Sequence, residues 1–227
     1  MHIFDTLRSF VALGGPVVAL LLVLSLIALA AILVKLQQFH TERVGRHAPA
    51  RRSVAAWRRG DVAEARAVAE KDSSVVGACL AAAMSLASRR AARADIEEEI
   101  VRIATGRLHD LQRGFRLLDA ISQIAPLLGL FGTVLGMIEA FQQLQSAGNA
   151  VDPSVLAGGI WVALLTTAVG LAVAMPVSLV LTWFETRLEN ERVAVETLTA
   201  ELFIPHQPEL TAAPSAVHTE ASPRHAR

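Results

Sequence analysis

The sequence predicts an all-α integral membrane protein: three transmembrane helices, two of them extended into a cytoplasmic helical region. Three observations predict it. Uncharged, largely apolar segments run from Ser9 to Val34, from Ala120 to Ile138 and from Pro153 to Phe184, and a helix crosses a bilayer with roughly 20 apolar residues. The charges, 21 Lys and Arg against 21 Asp and Glu, lie outside those segments. Between the first and second segments, apolar residues recur at helical spacing rather than in alternation.

The first element is a transmembrane helix over 10–34, preceded by a short N-terminal stretch, 1–9. Ala28 and Ala30 offer a signal-peptidase pattern. The apolar run continues to Val34, however, well past the roughly 7–15 residues of a signal-peptide core, so an anchored helix is the reading. A helical region fills 35–118. One helix there ends at Gly60 and the next is capped by Asp61, because Gly favours helix ends and Asp favours N-caps. Ala65, Val68 and Ala69 give the second an apolar stripe. Ser73 and Ser74 open a third, rich in Ala, Leu and Met, which holds the single cysteine, Cys79. A lone cysteine cannot close an internal disulfide and packs here as a small apolar residue.

From Ala91 to Leu118 a charged helix presents Ile96, Ile100, Ile103, Leu108 and Leu111 on one side, an amphipathic face that needs partners. No break is read before the second apolar segment. One long helix is therefore expected to run into transmembrane helix two, 119–143. A loop over 144–154 leads to transmembrane helix three, 155–184. That helix continues through 185–204, where Leu188, Glu191, Val195, Leu198 and Leu202 follow without Gly or Pro until Pro205. The stretch 205–227, rich in Pro, Ala, Ser and His, reads as a disordered tail.

Charge sets the orientation. Sixteen of the Lys and Arg residues lie between Lys35 and Arg116, and none lies in the short stretch from Glu139 to Asp152. The positive-inside rule places 35–118 and the C-terminus in the cytoplasm, and the N-terminus and the 144–154 loop on the opposite side. No phosphate-binding Gly-rich loop, HExxH or CxxC is present, so no enzyme, cofactor or metal site is read. The basic residues of the cytoplasmic region are balanced by acids, which argues against nucleic acid as a partner.

The second and third membrane helices differ from the first. Gly132 and Gly136 form a GxxxG pair, and Gly129 with Thr133 a second small pair on a neighbouring face. In the third helix, Gly159, Ala163, Thr167, Gly170 and Ala174 recur at steps of three and four. Small residues let helix backbones approach, so both helices read as packing helices, whereas the Leu-, Val- and Ile-rich first helix reads as lipid-facing. Thr133, Thr166 and Thr167 allow two readings. Each hydroxyl can bond the carbonyl four residues back, at Gly129, Val162 and Ala163. Alternatively, Thr133 and Thr167, near mid-membrane depth, face a polar interior, with Thr166 one step round and packed. None of the three uncharged segments, 9–34, 120–138 and 153–184, holds an ionisable residue, so a titratable group for ion passage at that depth would come from a partner.

The runs Ala125-Pro126-Leu127-Leu128-Gly129-Leu130-Phe131-Gly132-Thr133-Val134-Leu135-Gly136-Met137 and Gly159-Ile160-Trp161-Val162-Ala163-Leu164-Leu165-Thr166-Thr167-Ala168-Val169-Gly170-Leu171, continuing to Pro176, resemble the signatures of the MotA/TolQ/ExbB proton-channel family. The three-span plan with a large loop after the first helix resembles its ExbB/TolQ branch. The resemblance implies a homopentamer in the bacterial inner membrane, with the second and third helices lining a central pore. It implies an ExbD- or TolR-like single-span partner whose aspartate carries the proton, and a TonB- or TolA-like protein that receives the work. It also implies that Thr133 and Thr167 line the pore. The family commonly has a glutamate five residues before the threonine that matches Thr167; here that position is Val162. A proton-driven energy transducer is the leading expectation. A non-conducting membrane scaffold ring, suggested by Val162, is the alternative.

Overall fold

The computed structural model describes residues 2–147 and 153–204, and every element in them is helical. The tip of the expected loop, 148–152, and the expected tail, 205–227, lie outside the described residues. Among the described residues, three helices are long and apolar enough to cross a membrane, within Gly15–Thr41, Arg93–Ser146 and Leu156–Phe203.

Helix α1, His2–Thr41, is broken at Gly15, where φ is 65°. Pro16 follows, so the amide that a continuous helix would use there is absent. The straight part buries Val17, Val18, Leu21 and Ala28 and exposes Leu20, Val23, Leu26, Leu29 and Leu33. That one-sided burial leaves a wide apolar face suited to lipid. Four helices follow: α2 (Ala48–Arg58), α3 (Val62–Lys71), α4 (Val75–Ser88) and α5 (Arg93–Gln112). Gly60, at φ 84°, turns the chain between α2 and α3. Asp61 then accepts the amide of Glu64 at 3.0 Å, and Ser74 accepts that of Gly77 at 3.0 Å. Both are side-chain N-caps. Helix α4 is the centre of this group: Val75, Val76, Cys79, Leu80, Ala83 and Met84 are all buried. Burial pushes the Cys79 thiol up to about 12, the value of a packing residue rather than a reactive one.

The expectation of one uninterrupted helix from Ala91 into the membrane is corrected. Helix α5 ends at Gln112 and α6, Phe115–Ala147, starts after a turn in which Gly114 has φ 87°. Helix α1 supports the break. The Lys35 ammonium donates to the Leu111 carbonyl at 3.1 Å, and Gln38 donates to that of Asp110 at 3.4 Å, so α5's terminal carbonyls are satisfied from outside. A side chain at 114 would also crowd Lys35, whose Cε lies 3.3 Å from the position of a Cβ.

Helix α7, Pro153–Ala200, crosses the molecule and ends in a 3-10 turn at Glu201–Phe203. Its first half pairs with α6; its second half packs on α4 and α5. The three membrane-length helices meet where Phe39, Phe115 and Phe184 cluster. Phe184 lies 5.0 Å from Phe39 and 5.9 Å from Phe115, centroid to centroid.

Candidate functional site

The α6–α7 seam is built by residues that lack bulk. A Cβ on Gly170 would lie 2.6 Å from the Ala125 carbonyl oxygen, and one on Gly129 would lie 2.9 Å from that of Thr166. A Cβ on Gly132 would lie 2.6 Å from the Thr166 hydroxyl, one on Gly136 3.1 Å from the Ala163 Cβ, and one on Gly159 2.5 Å from the Ala140 Cβ. Ala163 is buried in the same seam. Ala174 is buried one step further, with Val17 and Leu21 of α1 and Ala125 of α6. Such close approach is the geometry by which membrane helices associate without a hydrophobic push.

The threonines lie inside or beside this seam, and their partners differ from the expected carbonyls four residues back. Thr133 donates to Leu130 at 2.6 Å, three residues back. Thr166, only 2% exposed, donates to Ala163 at 2.7 Å and also lies 3.2 Å from the Gly129 carbonyl of α6. Thr167, half-buried, reaches across to the same carbonyl at 3.2 Å. One backbone oxygen thus lies within reach of two hydroxyls of the neighbouring helix, accepting from Thr167 while the single Thr166 proton is directed mainly at Ala163. The reason is local: with no side chain at Gly129, α7 comes near enough for cross-helix bonds to compete with bonds along α7. Val162 is half-buried on α7.

The structure adds a second polar centre that the sequence reading passed over. Glu191 is fully buried. Its Oε2 accepts the Gly45 amide at 2.9 Å and lies 2.9 Å from Nε2 of His47. Its Oε1 has no hydrogen-bond partner among the described residues. The turn after α1 is thereby tied to α7. The signal was present in sequence: Phe184, Leu188, Glu191, Val195 and Leu198 fall at core spacing, and a glutamate among them has to be paired. Among the described residues, no group of three or more His, Cys, Asp or Glu is placed to hold a metal.

Comparison with known proteins identifies a family. Residues 71–197 match the model of the MotA/TolQ/ExbB proton channel family. The chain is 50% identical over 68 residues to the biopolymer transport protein exbB1 of Vibrio cholerae, covering 30% of each chain. It is 32% identical over 92 residues to the biopolymer transport protein ExbB of Salmonella typhimurium, covering 40% of this chain and 37% of that one. It is 32% identical over 101 residues to ExbB of Pseudomonas putida, covering 44% of this chain and 30% of that one. The matched stretches therefore span about a third of the length of these curated relatives. With more than half of its residues within the family match, the chain belongs to the MotA/TolQ/ExbB proton channel family.

Proposed function

We propose that the chain is the ring-forming subunit of an inner-membrane motor driven by the proton-motive force. In this reading it assembles as a homopentamer, with its N-terminus in the periplasm and its C-terminus in the cytoplasm. Its spans occupy 10–34, 119–143 and 155–184. Helices α6 and α7 line a pore that receives an ExbD/TolR-like single-span protein, whose carboxylate carries the proton. The work passes to a TonB/TolA-like protein acting at the outer membrane. One elementary charge crossing 100 mV supplies about 2.3 kcal/mol, enough to bias a packed helix interface between two arrangements.

The observation that carries the reading is the coincidence of the glycine seam with hydroxyls at mid-span. Thr167 and Thr133 are only partly buried, while Thr166 and the glycines hold the helices together. In this reading Thr133 and Thr167 are the polar groups nearest the travelling proton, and Val162 lies beside the pore without titrating. The test is Thr167→Val in the complex with its single-span partner. Proton-dependent activity is lost while the complex still assembles; unchanged proton flux in an assembled complex removes Thr167 from the pathway.

A second reading, a non-conducting scaffold ring, is favoured by two observations. All three hydroxyls already donate to backbone carbonyls, and Val162 stands where the family commonly has a carboxylate. Copurification of a single-span protein with an intramembrane aspartate supports the motor. Its absence from the purified ring supports the scaffold.

A further inference from the structure

A cavity of about 1160 Å³ opens between α5 and the second half of α7. Its floor is apolar, formed by Ile100, Ala104, Leu188 and Val195. Its rim carries Glu97, Glu185, Glu189 and Glu196, with Arg192 as the only Arg or Lys among the lining residues. Glu97 is paired with Arg93 at 2.7 Å and Glu196 with Arg192 at 3.4 Å. Glu185 and Glu189 have no ion pair among the described residues. The groove therefore joins an apolar floor to an uncompensated negative rim. From Glu97 to Gln112 it follows α5 for about 22 Å at 1.5 Å per residue. That exceeds an ordinary small-molecule pocket, whose volume is roughly 300–1,000 Å³, and suits a segment of polypeptide laid along a helix pair.

Its position narrows the occupant. Glu185 lies about five turns beyond Thr167 in the same helix, hence on the same face. Helix α1, the turn after it and α4 cover another side of α7, through Phe184, Glu191 and Leu198. A chain standing against Thr167 would leave the membrane at the mouth of the groove. The cytoplasmic flank of a single-span protein is enriched in Lys and Arg, the charge that complements Glu185 and Glu189.

We propose that the groove between α5 and α7 docks the basic, amphipathic juxtamembrane segment of the single-span partner. The proposal rests on the motor reading above, which supplies that partner. The segment lays its apolar side on Ile100, Ala104 and Leu188 and its cations on Glu185 and Glu189.

The test places the photocrosslinking residue p-benzoylphenylalanine at Val101, an exposed groove residue, in the full chain coexpressed with an ExbD/TolR-like single-span protein from the same organism. Irradiation is expected to join position 101 to partner residues on the cytoplasmic side of its span. The yield falls about tenfold in the Glu185→Lys/Glu189→Lys double variant, and reversing the partner's basic residues restores it. Crosslinks to a second copy of this chain or to 205–227, or a yield indifferent to charge reversal, overturn the proposal.

A second arm needs no partner. A fluorescein-labelled helical peptide of Lys and Leu is titrated against the detergent-solubilised chain, beside its Glu and Leu counterpart. The Lys–Leu peptide is expected to bind about tenfold more tightly, with the difference shrinking in salt and in the double variant. Equal binding of the two peptides overturns the proposal. Failure of any single-span protein to copurify with the wild-type chain counts against the motor reading instead, and the peptide titration then decides the groove.

Discussion

Gly170→Ala probes the seam most directly. The added Cβ would meet the Ala125 carbonyl oxygen at 2.6 Å, the Gly129 Cα at 3.1 Å and the Gly129 nitrogen at 3.3 Å. All three are backbone atoms, so no side chain can swing aside. Restoring ordinary contact near 3.4 Å requires the helices to part by about 0.8 Å at this level, which forfeits a quarter to a half of each contact's attraction. Overpacking of this kind costs about 1–3 kcal/mol. The Thr167 bond to Gly129, already 3.2 Å long, stretches past bonding range, and such bonds average about 0.6 kcal/mol in a membrane protein. The gain in helix propensity from Gly to Ala, up to about 1 kcal/mol, offsets part of this. With that offset a net loss of about 0.5–2.5 kcal/mol is expected. Reversible unfolding in mixed micelles by added SDS measures it. Gly106→Ala is the control, because a Cβ there meets nothing within 4 Å. Equal stability of the two variants would refute the claim that close backbone approach at Gly170 sets the seam.

Further outcomes follow from the same geometry. Glu191→Leu removes the acceptor of the Gly45 amide and should cost about 1–3 kcal/mol in thermal denaturation, while Glu191→Gln, which keeps an acceptor, should lose less. Gly77→Ala would set a Cβ 2.5 Å from the Asp72 carbonyl oxygen; the start of α4 should loosen, seen as faster amide exchange over 75–80 and about 1–3 kcal/mol of lost stability. Cys79 should resist maleimide at neutral pH in the folded protein and react after denaturation, because burial raises its thiol to about 12. With the folded value raised above the ordinary 9.0, its contribution to stability is complete below pH 9 and is lost as pH rises from there toward 12; denaturation midpoints across that range check the sign.

The broad plan was legible because bilayer thickness and charge segregation act on long stretches of sequence. The helices after the first span were legible where a cap residue announces them: Asp61, Ser74 and Gly60 do locally what they do in any helix. The break at Gly114 was passed over although glycine is itself a helix-end signal; its support from Lys35 of α1 is distant in sequence and acts only once α1 and α5 are side by side. The threonine partners were misjudged for a related reason. Helix geometry alone offers a hydroxyl its own helix, and the Gly129 carbonyl becomes a rival only after two glycine faces have met. Glu191 falls in line with Leu188, Val195 and Leu198, but its pairing was not legible because its partners, Gly45 and His47, are distant in sequence.

The Gly129 carbonyl has a consequence for how quickly this part of the membrane domain can rearrange. An acceptor with one suitor strands itself when that suitor leaves, and in hydrocarbon a stranded carbonyl costs several kcal/mol. Here the acceptor is oversubscribed: Thr166 stays within 3.2 Å when Thr167 turns away, and the helix's own amide ladder remains. Releasing Thr167 therefore costs about one weak bond, near 0.6 kcal/mol, or roughly thermal energy. The seam can stay shut while one of its hydroxyls exchanges partners many times over, a fixed hinge pin with a free-running latch.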